Sequence, residues 1–345
     1  MGPGVPDKVS ITTTSTCDLN TPDQNIQDQD DKVAANNAAD QKVKNYSKSY
    51  AADAYTRLDI NNRYGKVSVK TWNKNEFRID VQVKVSANKT GDANDLLNSI
   101  SIDDKKQDQL VTFKTNINKE SATSLLNSKT KFRKVEINYT VYMPAKNALS
   151  ITNKWGDVDL PDMSGKLMIN CSYGDLVAKS LTNEGNVIKI TSGDAQIASL
   201  QASDLDISSG TLTLGWADKL NADMSYSSAK IGRLSTSGII NVKYGDGVQI
   251  IDIDKNLKNL SVNSNSTAVK VGLNNNENAD FNVTVHYGTF STGNHTVRIS
   301  KKTIAENSAP DDHGNATQNF KGHVGKGDVA KVININSNYS SVKFE

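Results

Sequence analysis

The sequence predicts an all-β protein: a β-solenoid with turns of about 17–22 residues, preceded by longer strands and a disordered N-terminal segment. Three observations lead to this prediction. Apolar residues alternate with polar ones at every second position, which is the period of a half-buried strand. An aromatic residue or serine followed by a small residue recurs at nearly constant intervals. The 3.6-residue period and strong helix formers that a helical repeat needs are absent.

Residues 1–54 are predicted to be a disordered polar segment. They hold mainly Gln, Asn, Asp, Thr and Ala, with few large apolar side chains. Such a segment buries too little apolar surface to offset the entropy lost on ordering. A short helix over Asp31–Val43 is the alternative for part of it.

Residues 55–150 are predicted to form a region of long strands that opens the domain. The clearest strand is "EFRIDVQVKV", whose apolar residues stand at every second position: Phe77, Ile79, Val81, Val83 and Val85. "LVTFKTNI" and "KVEINYTVYMP" predict two more strands, and "DANDLLNSI" predicts one or two helical turns. Pro144 ends the last strand because proline cannot donate to a sheet ladder.

Residues 151–345 are predicted to be the solenoid repeats. Aligned on the small residue that follows the aromatic or serine, they are 18, 19, 17, 17, 18, 22 and 21 residues apart. Each repeat, which we call a rung, consists of a strand, a corner at the small residue, a second strand and a turn. A rung is too short to bury its own apolar face, whereas stacked rungs can do so. A β-propeller blade would need about 40 residues.

The small residue at the corner is usually glycine. It shares its phase with the inward-facing residues, so we expect a larger side chain to collide there, and glycine also tolerates the dihedral angles of a sharp bend. Seven glycines are predicted to be structural corners: Gly65, Gly156, Gly174, Gly193, Gly210, Gly245 and Gly288.

The residue before the corner lies on the opposite phase and is often aromatic. These side chains should point away from the core and stack in a partial ladder along the rungs. The predicted ladder is Tyr64, Trp155, Tyr173, Tyr226, Tyr244, Tyr287 and Tyr339. It is either corner stacking that stabilises the fold or a flat strip that binds sugars or surfaces.

After Ile299 the repeat breaks, and residues 301–326 are predicted to be a polar loop. "VAKVININ" and "YSSVKFE" restore two strands at the C-terminus. We expect these strands to close the open end of the stack, whose backbone groups would otherwise remain unpaired.

Composition and charge exclude several classes of function. The chain carries 40 Lys and Arg against 38 Asp and Glu, so its net charge of +2 gives no reason to expect a nucleic-acid partner. No apolar run is long enough to span a bilayer, and the N-terminus lacks the apolar core of a signal peptide. Only 36% of residues are apolar, which suits a thin, extended core.

No catalytic constellation, metal site or cofactor site is predicted. The four histidines, His286, His295, His313 and His323, lack the spacing to other ligands that a metal site requires. "GHVGKGD" has no Ser or Thr after Gly-Lys, so we interpret it as a turn before a strand. Cys17 and Cys171 make no disulfide framework, and Cys171 is predicted to be a buried apolar side chain.

Three strings resemble the bacterial DUF4097-type putative adhesin family, which is related to the head-GIN-domain putative auto-transporter adhesins. They are "INNRYGKVSVKTWNKNEFRIDVQVKV", "VEINYTVYMPAKNALSITNKWGDVDL" and "GKGDVAKVININSNYSSVKFE". The resemblance covers roughly residues 55–345. It implies an exported β-solenoid of the bacterial cell envelope, periplasmic or extracellular, and it brings no catalytic residues.

Three functions follow as hypotheses. The first is a non-enzymatic, extracytoplasmic β-solenoid whose extended surface binds a surface glycan or an envelope protein. The second is a carbohydrate-active β-helix enzyme, lyase-like or glycosidase-like, that would use an outward acidic row: Asp157, Asp175, Asp194 and Asp246. The third is a periplasmic sensor or accessory protein. The sequence does not indicate an oligomeric state.

Overall fold

The protein is all-β. The computed structural model describes residues 10–12, 40–118, 133–274, 277–305, 317–327 and 331–345. Across these residues, 26 strands belong to one sheet, and the single helix, α1, spans Thr90–Asn98. The predicted fold class is therefore confirmed at the level of all-β, and α1 forms where "DANDLLNSI" predicted helical turns.

The first part of the sheet combines antiparallel and parallel pairs. β2, β5 and β8 pair antiparallel, as do β6 and β7, whereas β3 pairs β7 and β4 pairs β8 in parallel. Antiparallel strands therefore continue the sheet past the parallel pairs of β7 and β8. The strands of this part are β1 (Ser10–Thr12), β2 (Asp40–Ala51), β3 (Arg57–Arg63), β4 (Val67–Thr71), β5 (Glu76–Ala87), β6 (Ile100–Gln107), β7 (Leu110–Ile117) and β8 (Arg133–Met143).

The prediction that residues 1–54 are disordered is wrong for Asp40–Ala51, which form strand β2. The alternative of a helix is therefore also excluded from Asp40 onward. β2 pairs with β5 along its whole length. Tyr46 and Tyr50 pack against the core, and their hydroxyls donate hydrogen bonds to Asp104. Composition alone missed this strand because its order comes from pairing with a long neighbour. Apart from β1, residues 1–39 lie outside the described residues.

The central strands form parallel rungs. The strands are β9 (Leu149–Lys154), β10 (Val158–Leu160), β11 (Leu167–Ser172), β12 (Leu176–Leu181), β13 (Asn186–Thr191), β14 (Ala195–Leu200), β15 (Ser203–Ser208), β16 (Thr211–Ser225), β17 (Ser228–Lys243) and β18 (Val248–Ile253). Each first strand of a rung pairs in parallel with the first strands of its neighbours, and the second strands do likewise. β16 and β17 are long because each runs through the second strand of one rung into the first strand of the next.

This register places equivalent side chains in columns, and the inward columns make the core. One buried column runs through ten rungs: Ile60, Ile151, Ile169, Ile188, Leu205, Ala222, Ile240, Val262, Ile335 and Val283. Because the column is aliphatic at every rung, hydrophobic burial fixes the register of each strand on its neighbours.

The C-terminal strands depart from chain order. They are β19 (Asn259–Asn265), β20 (Val269–Val271), β21 (Ala279–His286), β22 (Phe290–Ser291), β23 (Val297–Ala305), β24 (Thr317–Val324), β25 (Val332–Asn338) and β26 (Val342–Phe344). β25 lies between β19 and β21, and β26 lies between β20 and β22. The expectation that the C-terminal strands close the end of the stack is therefore wrong, since they fill the position before the last rung.

Residues 301–326 also differ from the predicted polar loop. β24 pairs antiparallel with β21 and with β23, so these strands continue the sheet beyond the last rung. The register of the β23–β24 pair shifts between Ile299 and Lys301, and this bulge interrupts the period of two that would have indicated a strand. Residues 306–316 lie outside the described part of the chain.

One apolar cluster runs from Ala52 in the first part of the sheet to Phe344 in the last strand. None of the helices in the described ranges is long and apolar enough to cross a membrane.

Candidate functional site

The predicted ladder residues share one backbone conformation. Tyr64, Trp155, Tyr173, Tyr226, Tyr244, Tyr287 and Tyr339 all have a left-handed φ, between 51° and 61°. Ser192, Ser209 and Ser266 take the same conformation at the rungs that have no aromatic residue. We call this line of ten residues the aromatic corner. The left-handed turn lifts each side chain away from the core, and the seven aromatic side chains lie at the surface.

We expected glycine at the corners for two reasons, the lack of space for a larger side chain and the dihedral angles of a sharp bend. The second reason does not apply. None of the seven is among the residues with positive φ, so the unusual dihedral belongs to the preceding residue. What excludes a side chain is the neighbouring rung. A Cβ on Gly174 would stand 2.1 Å from the carbonyl oxygen of Gly156, and one on Gly210 would stand 1.9 Å from that of Gly193. Gly65, Gly156, Gly193, Gly245 and Gly288 meet backbone oxygens equally closely.

Ser227 and Thr267 occupy the glycine column at two rungs. The hydroxyl of Ser227 accepts a hydrogen bond from the backbone N–H of Gly210 at 3.2 Å, and Thr267 accepts one from Gly245 at 2.9 Å. Both side chains are buried. A small hydroxyl residue is therefore compatible with this column when its oxygen binds the adjacent backbone.

The aromatic side chains form three separate stacks and no continuous ladder. Tyr64, Trp155 and Tyr173 make the first, with ring centroids 4.8 and 6.1 Å apart and nearly parallel planes. Tyr226 and Tyr244 make the second at 5.3 Å. Tyr287 and Tyr339 make the third at 4.7 Å. The corner serines separate these stacks.

Stacking determines which ring surfaces a ligand can reach. Faces between two stacked rings are covered, so each stack offers its ring edges and the outer faces of its end members. Tyr173 faces the Ser192 rung and Tyr226 faces the Ser209 rung, and these two side chains are 53% and 64% exposed. With rungs about 4.8 Å apart, the two rings stand roughly 14 Å from each other across the two serines.

Cations lie beside the first stack. The Nζ atom of Lys154 is 4.1 Å from the ring centroid of Trp155 and 5.7 Å from that of Tyr173. A cation at this distance is attracted to the ring quadrupole. The first stack therefore carries a positive charge beside Trp155 and Tyr173.

The acidic row lies on the other side of the corner, and its carboxylates bind the backbone. Asp157 accepts a hydrogen bond from the N–H of Asp175 at 3.1 Å, and Asp175 accepts one from Asp194 at 2.8 Å. Asp194 accepts one from Thr211 at 2.8 Å. Asp246 stands at the equivalent position of a later rung and is exposed. In the first three rungs, these carboxylates thus hold successive corners together.

The sequence reasoning missed a polar row on the long face formed by the first strands. Asp206, Asp223, Asn241, Asn263 and Asn336 are register partners on successive rungs. The amide of Asn241 donates to Asp223 at 2.8 Å, and that of Asn263 donates to Asn241 at 2.9 Å. Each residue stands three positions before an aromatic-corner residue, so aligning the rungs on that residue would have found the row.

A groove of about 590 Å³ follows this polar row. Ser225 and Lys243 also line it, and they immediately precede Tyr226 and Tyr244. The groove therefore lies beside the second aromatic stack. Amides, carboxylates and an ammonium group line it.

The remaining sequence candidates do not assemble into a site. Among the described residues, no group of three His, Cys, Asp or Glu side chains is placed to hold a metal ion. The Nδ1 atom of His323 is hydrogen-bonded to a carboxylate oxygen of Asp280 at 2.8 Å, and that of His286 to the hydroxyl of Thr317 at 2.7 Å. His313 lies outside the described residues. The "GHVGKGD" segment turns around Asn278, whose side-chain oxygen accepts hydrogen bonds from the N–H groups of Lys326 and Gly327.

Cys171 is buried, as predicted, and burial raises the pKa of its thiol to about 12. The thiol lies 3.5 Å from the carbonyl oxygen of Gly156 and 3.3 Å from that of Gly174. It therefore donates toward the corner carbonyls of its own rung and its neighbour. Cys17 lies outside the described residues.

No family model matches this chain, and no curated protein matches it. Among solved structures, it is similar to a putative cell adhesion protein from Clostridium sporogenes (10% identity, 88% of this chain and 99% of that one, TM-score 0.22). It is also similar to a putative adhesin from Bacteroides fragilis, with 10% identity over 87% of this chain and 97% of that one and a TM-score of 0.35. A third similar structure is that of a putative lipid binding protein from Parabacteroides distasonis, with 8% identity over 87% of this chain and 96% of that one and a TM-score of 0.32. At these values, the similarities carry no conclusion about what this chain binds.

Proposed function

We propose that this chain is a non-enzymatic β-solenoid that works outside the cytoplasm and presents an extended outer surface for adhesion. Residues 151–345 form the solenoid, residues 55–150 form the strand region that opens it, and the ligand is a glycan or protein of a cell envelope. The resemblance of its sequence to adhesins is consistent with this proposal.

The regular outer surface is the observation that carries the proposal. Parallel pairing in constant register places outward side chains in rows along ten rungs, at intervals of about 4.8 Å and over roughly 43 Å. The polar row and the aromatic corner are two such rows, and they run side by side. A surface that repeats along one direction suits a ligand that also repeats, such as a polysaccharide chain.

We place the glycan contact in the groove beside Tyr226 and Tyr244. The hydroxyl groups of a sugar would exchange hydrogen bonds with the carboxylates and amides of the polar row, which provide both donors and acceptors. The exposed edge and outer face of the Tyr226 stack would contact the apolar face of a sugar ring. Three carboxylates of the acidic row each accept a backbone N–H hydrogen bond that links two rungs, which favours a structural role for this row.

Binding of the purified chain to a panel of long and short glycans tests this proposal. The informative variant is Tyr226→Asn/Tyr244→Asn, because asparagine tolerates the left-handed conformation that alanine would strain. Trp155→Asn/Tyr173→Asn is the matched control, since neither these two residues nor the residues before them line the groove. We expect the first variant to lose binding at least tenfold and the control to retain it.

Equal binding by both variants would remove the second stack from the site, and failure to bind any glycan would contradict the glycan part of the proposal. Reducing-end release from the bound polysaccharides would contradict its non-enzymatic part. Fractionation of cells that produce the chain tests its location, and recovery only with cytoplasmic proteins would contradict the place outside the cytoplasm.

A further inference from the structure

The C-terminal segment Lys331–Glu345 occupies a slot that the earlier chain builds. The strands on either side of the slot, β19 and β20 below and β21 and β22 above, all precede the segment in sequence. Between β20 and β21 the chain passes over one rung position, which β25 and β26 then fill. All four strands that wall the slot are therefore synthesised before the segment that fills it.

Backbone hydrogen bonds join the segment to both walls of the slot. Toward β19, Val332 donates to Lys258 at 3.0 Å and Asn338 accepts from Ser266 at 2.8 Å. Toward β21, Lys331 accepts from Asp280 at 3.0 Å and Tyr339 donates to His286 at 2.9 Å. Since the pairing is parallel on both sides, an occupant must enter with the direction of the native segment.

Side chains give the slot its specificity. Ile333, Ile335, Val342 and Phe344 are buried, and the ring of Phe344 meets those of Phe281 and Phe290 edge to face at 5.5 and 5.0 Å. These contacts require a strand pair with aliphatic residues at alternate positions and an aromatic residue near its end.

A buried ion pair selects the start of the occupant. Lys331 forms a salt bridge with Glu277, and its Nζ atom also donates to the carbonyl oxygen of Asp254 at 3.0 Å. Both charged side chains are more than nine-tenths buried. Because a buried charge without its partner is strongly destabilising, an occupant that lacks this ammonium group would fit poorly.

The connection from β24 to the segment begins at Gly325. Before the segment, the chain turns through Lys326 and Gly327, which are exposed and whose backbone N–H groups donate to the side-chain oxygen of Asn278.

We propose that this slot is a binding site for an extended peptide, and that its occupant in trans is the Lys331–Glu345 segment of a second copy. The segment of another copy makes the same hydrogen bonds, apolar contacts and ion pair as the chain's own. Binding of the chain's own segment and binding of another copy's segment therefore differ mainly in entropy. High protein concentration favours exchange between copies. Copies joined in this way would share rungs.

A cut-and-exchange experiment tests the site directly. A protease site placed directly after Gly327 allows the folded full-length chain to be cut, so that the slot forms before the segment is released. The probe is a fluorescent synthetic peptide with the sequence of residues 331–345. We expect saturable binding of one peptide per cut chain, with release of the native segment.

Peptides of the same length serve as controls. A Lys331→Met peptide and an Ile335→Asp peptide should each bind at least tenfold more weakly, because one lacks the ammonium group and the other buries a carboxylate. Equal binding of all three peptides would overturn the proposal. So would failure of the native peptide to exchange with the cut chain at temperatures just below its unfolding transition.

A second measurement addresses exchange between intact copies. Deleting residues 325–330 leaves one Cα–Cα step of about 3.8 Å between Val324 and Lys331. These two residues lie on opposite sides of β21, about 9.6 Å apart, so the segment no longer reaches the slot of its own chain and can enter only that of another. Analytical ultracentrifugation should show dimers or larger assemblies of the deletion variant. A folded, monomeric variant at high concentration would contradict exchange in trans. The segment carries Asn336 and Asn338, which line the groove, and Tyr339 of the aromatic corner. The experiment nevertheless tests the slot separately from glycan binding, because assembly is measured without any glycan.

Discussion

The central rungs and the C-terminal rungs are built from the same units but ordered by different means. From β9 to β18, each rung stacks on the one that precedes it in the chain, with register partners 17 to 19 residues apart. From β19 onward, neighbours in space come from distant parts of the chain, and Asn263 pairs with Asn336. Short-range repetition orders the first region, whereas long-range contacts order the second.

The difference shows what the two regions depend on. In the central rungs, corner glycines allow neighbouring backbones to approach closely, and aliphatic columns fix the register. In the C-terminal rungs, the ion pair between Glu277 and Lys331 joins the turn before β21 to the start of β25. We therefore expect substitutions to affect the two regions separately.

Breaking the ion pair should produce the largest effect. Lys331→Met leaves Glu277 buried without a partner, and we expect a loss of about 3–5 kcal/mol in the free energy of unfolding, measured with urea. Hydrogen exchange should increase in β19, β21 and β25 more than in β11 to β15. The double variant Lys331→Met/Glu277→Leu should recover most of the loss. A double variant as unstable as the single one would contradict this explanation.

A methyl group in the glycine column tests the central rungs. Gly193→Ala places a Cβ about where the carbonyl oxygen of Gly174 approaches to 2.1 Å. We expect the free energy of unfolding to fall by about 3 kcal/mol, because the rungs must move apart. Gly91→Ala is the matched control: Gly91 lies in α1 with open space around it, and alanine favours a helix. Equal stability of both variants would argue against close contact at the corner.

The aromatic corner should show a smaller effect that separates backbone from side chain. Tyr226→Ala loses a stacking partner and also places alanine in a left-handed conformation, so we expect a loss of about 2 kcal/mol. Tyr226→Gly loses the stacking contact but has no such strain, and thermal unfolding should show it to be the more stable of the two. The reverse order would mean that the left-handed φ is not a constraint there.

The smallest effect concerns the thiol of Cys171. Burial raises its pKa to about 12 from the ordinary value of 9.0, so the folded chain holds it as a neutral thiol at pH 8. In a Cys17→Ser background, a thiol-reactive dye should label Cys171 only after unfolding. As the pH rises from 9 toward 12, the unfolded state loses this proton first, and the contribution of the thiol to stability should decline. Rapid labelling of the folded chain at pH 8 would contradict its burial.

The sequence predicted the unit better than the arrangement of the units. The period of two and the spacing of the corner residues indicated the strands, and phase indicated that the residue before Gly174 points outward. Which of the two corner residues adopts a left-handed φ could not be predicted, because glycine is the usual choice for that conformation. Here the neighbouring backbone requires glycine at the next position instead.

The order of the rungs and the polar row needed more than local patterns. Nothing near Lys331 indicates that its partner is Glu277, since only the fold brings them together. Strand β2 was missed because its order depends on β5, which lies later in the chain. The polar row could have been predicted from the sequence, because Asn241 and Asn263 each stand three positions before a residue of the aromatic corner.

The inserted rung is tested most directly by cross-linking pairs of engineered cysteines in a Cys17→Ser/Cys171→Ser background. Asn263 and Asn336 are register partners on adjacent strands, and Thr284 is the partner of Asn336 on the far side. Their Cα atoms should be about 4.8 Å apart for adjacent strands and about 9.6 Å apart for Asn263 and Thr284, which exceeds the reach of a disulfide. Mild oxidation should therefore link Asn263→Cys with Asn336→Cys and should not link Asn263→Cys with Thr284→Cys. A disulfide in the second pair and none in the first would contradict the position of the C-terminal rung.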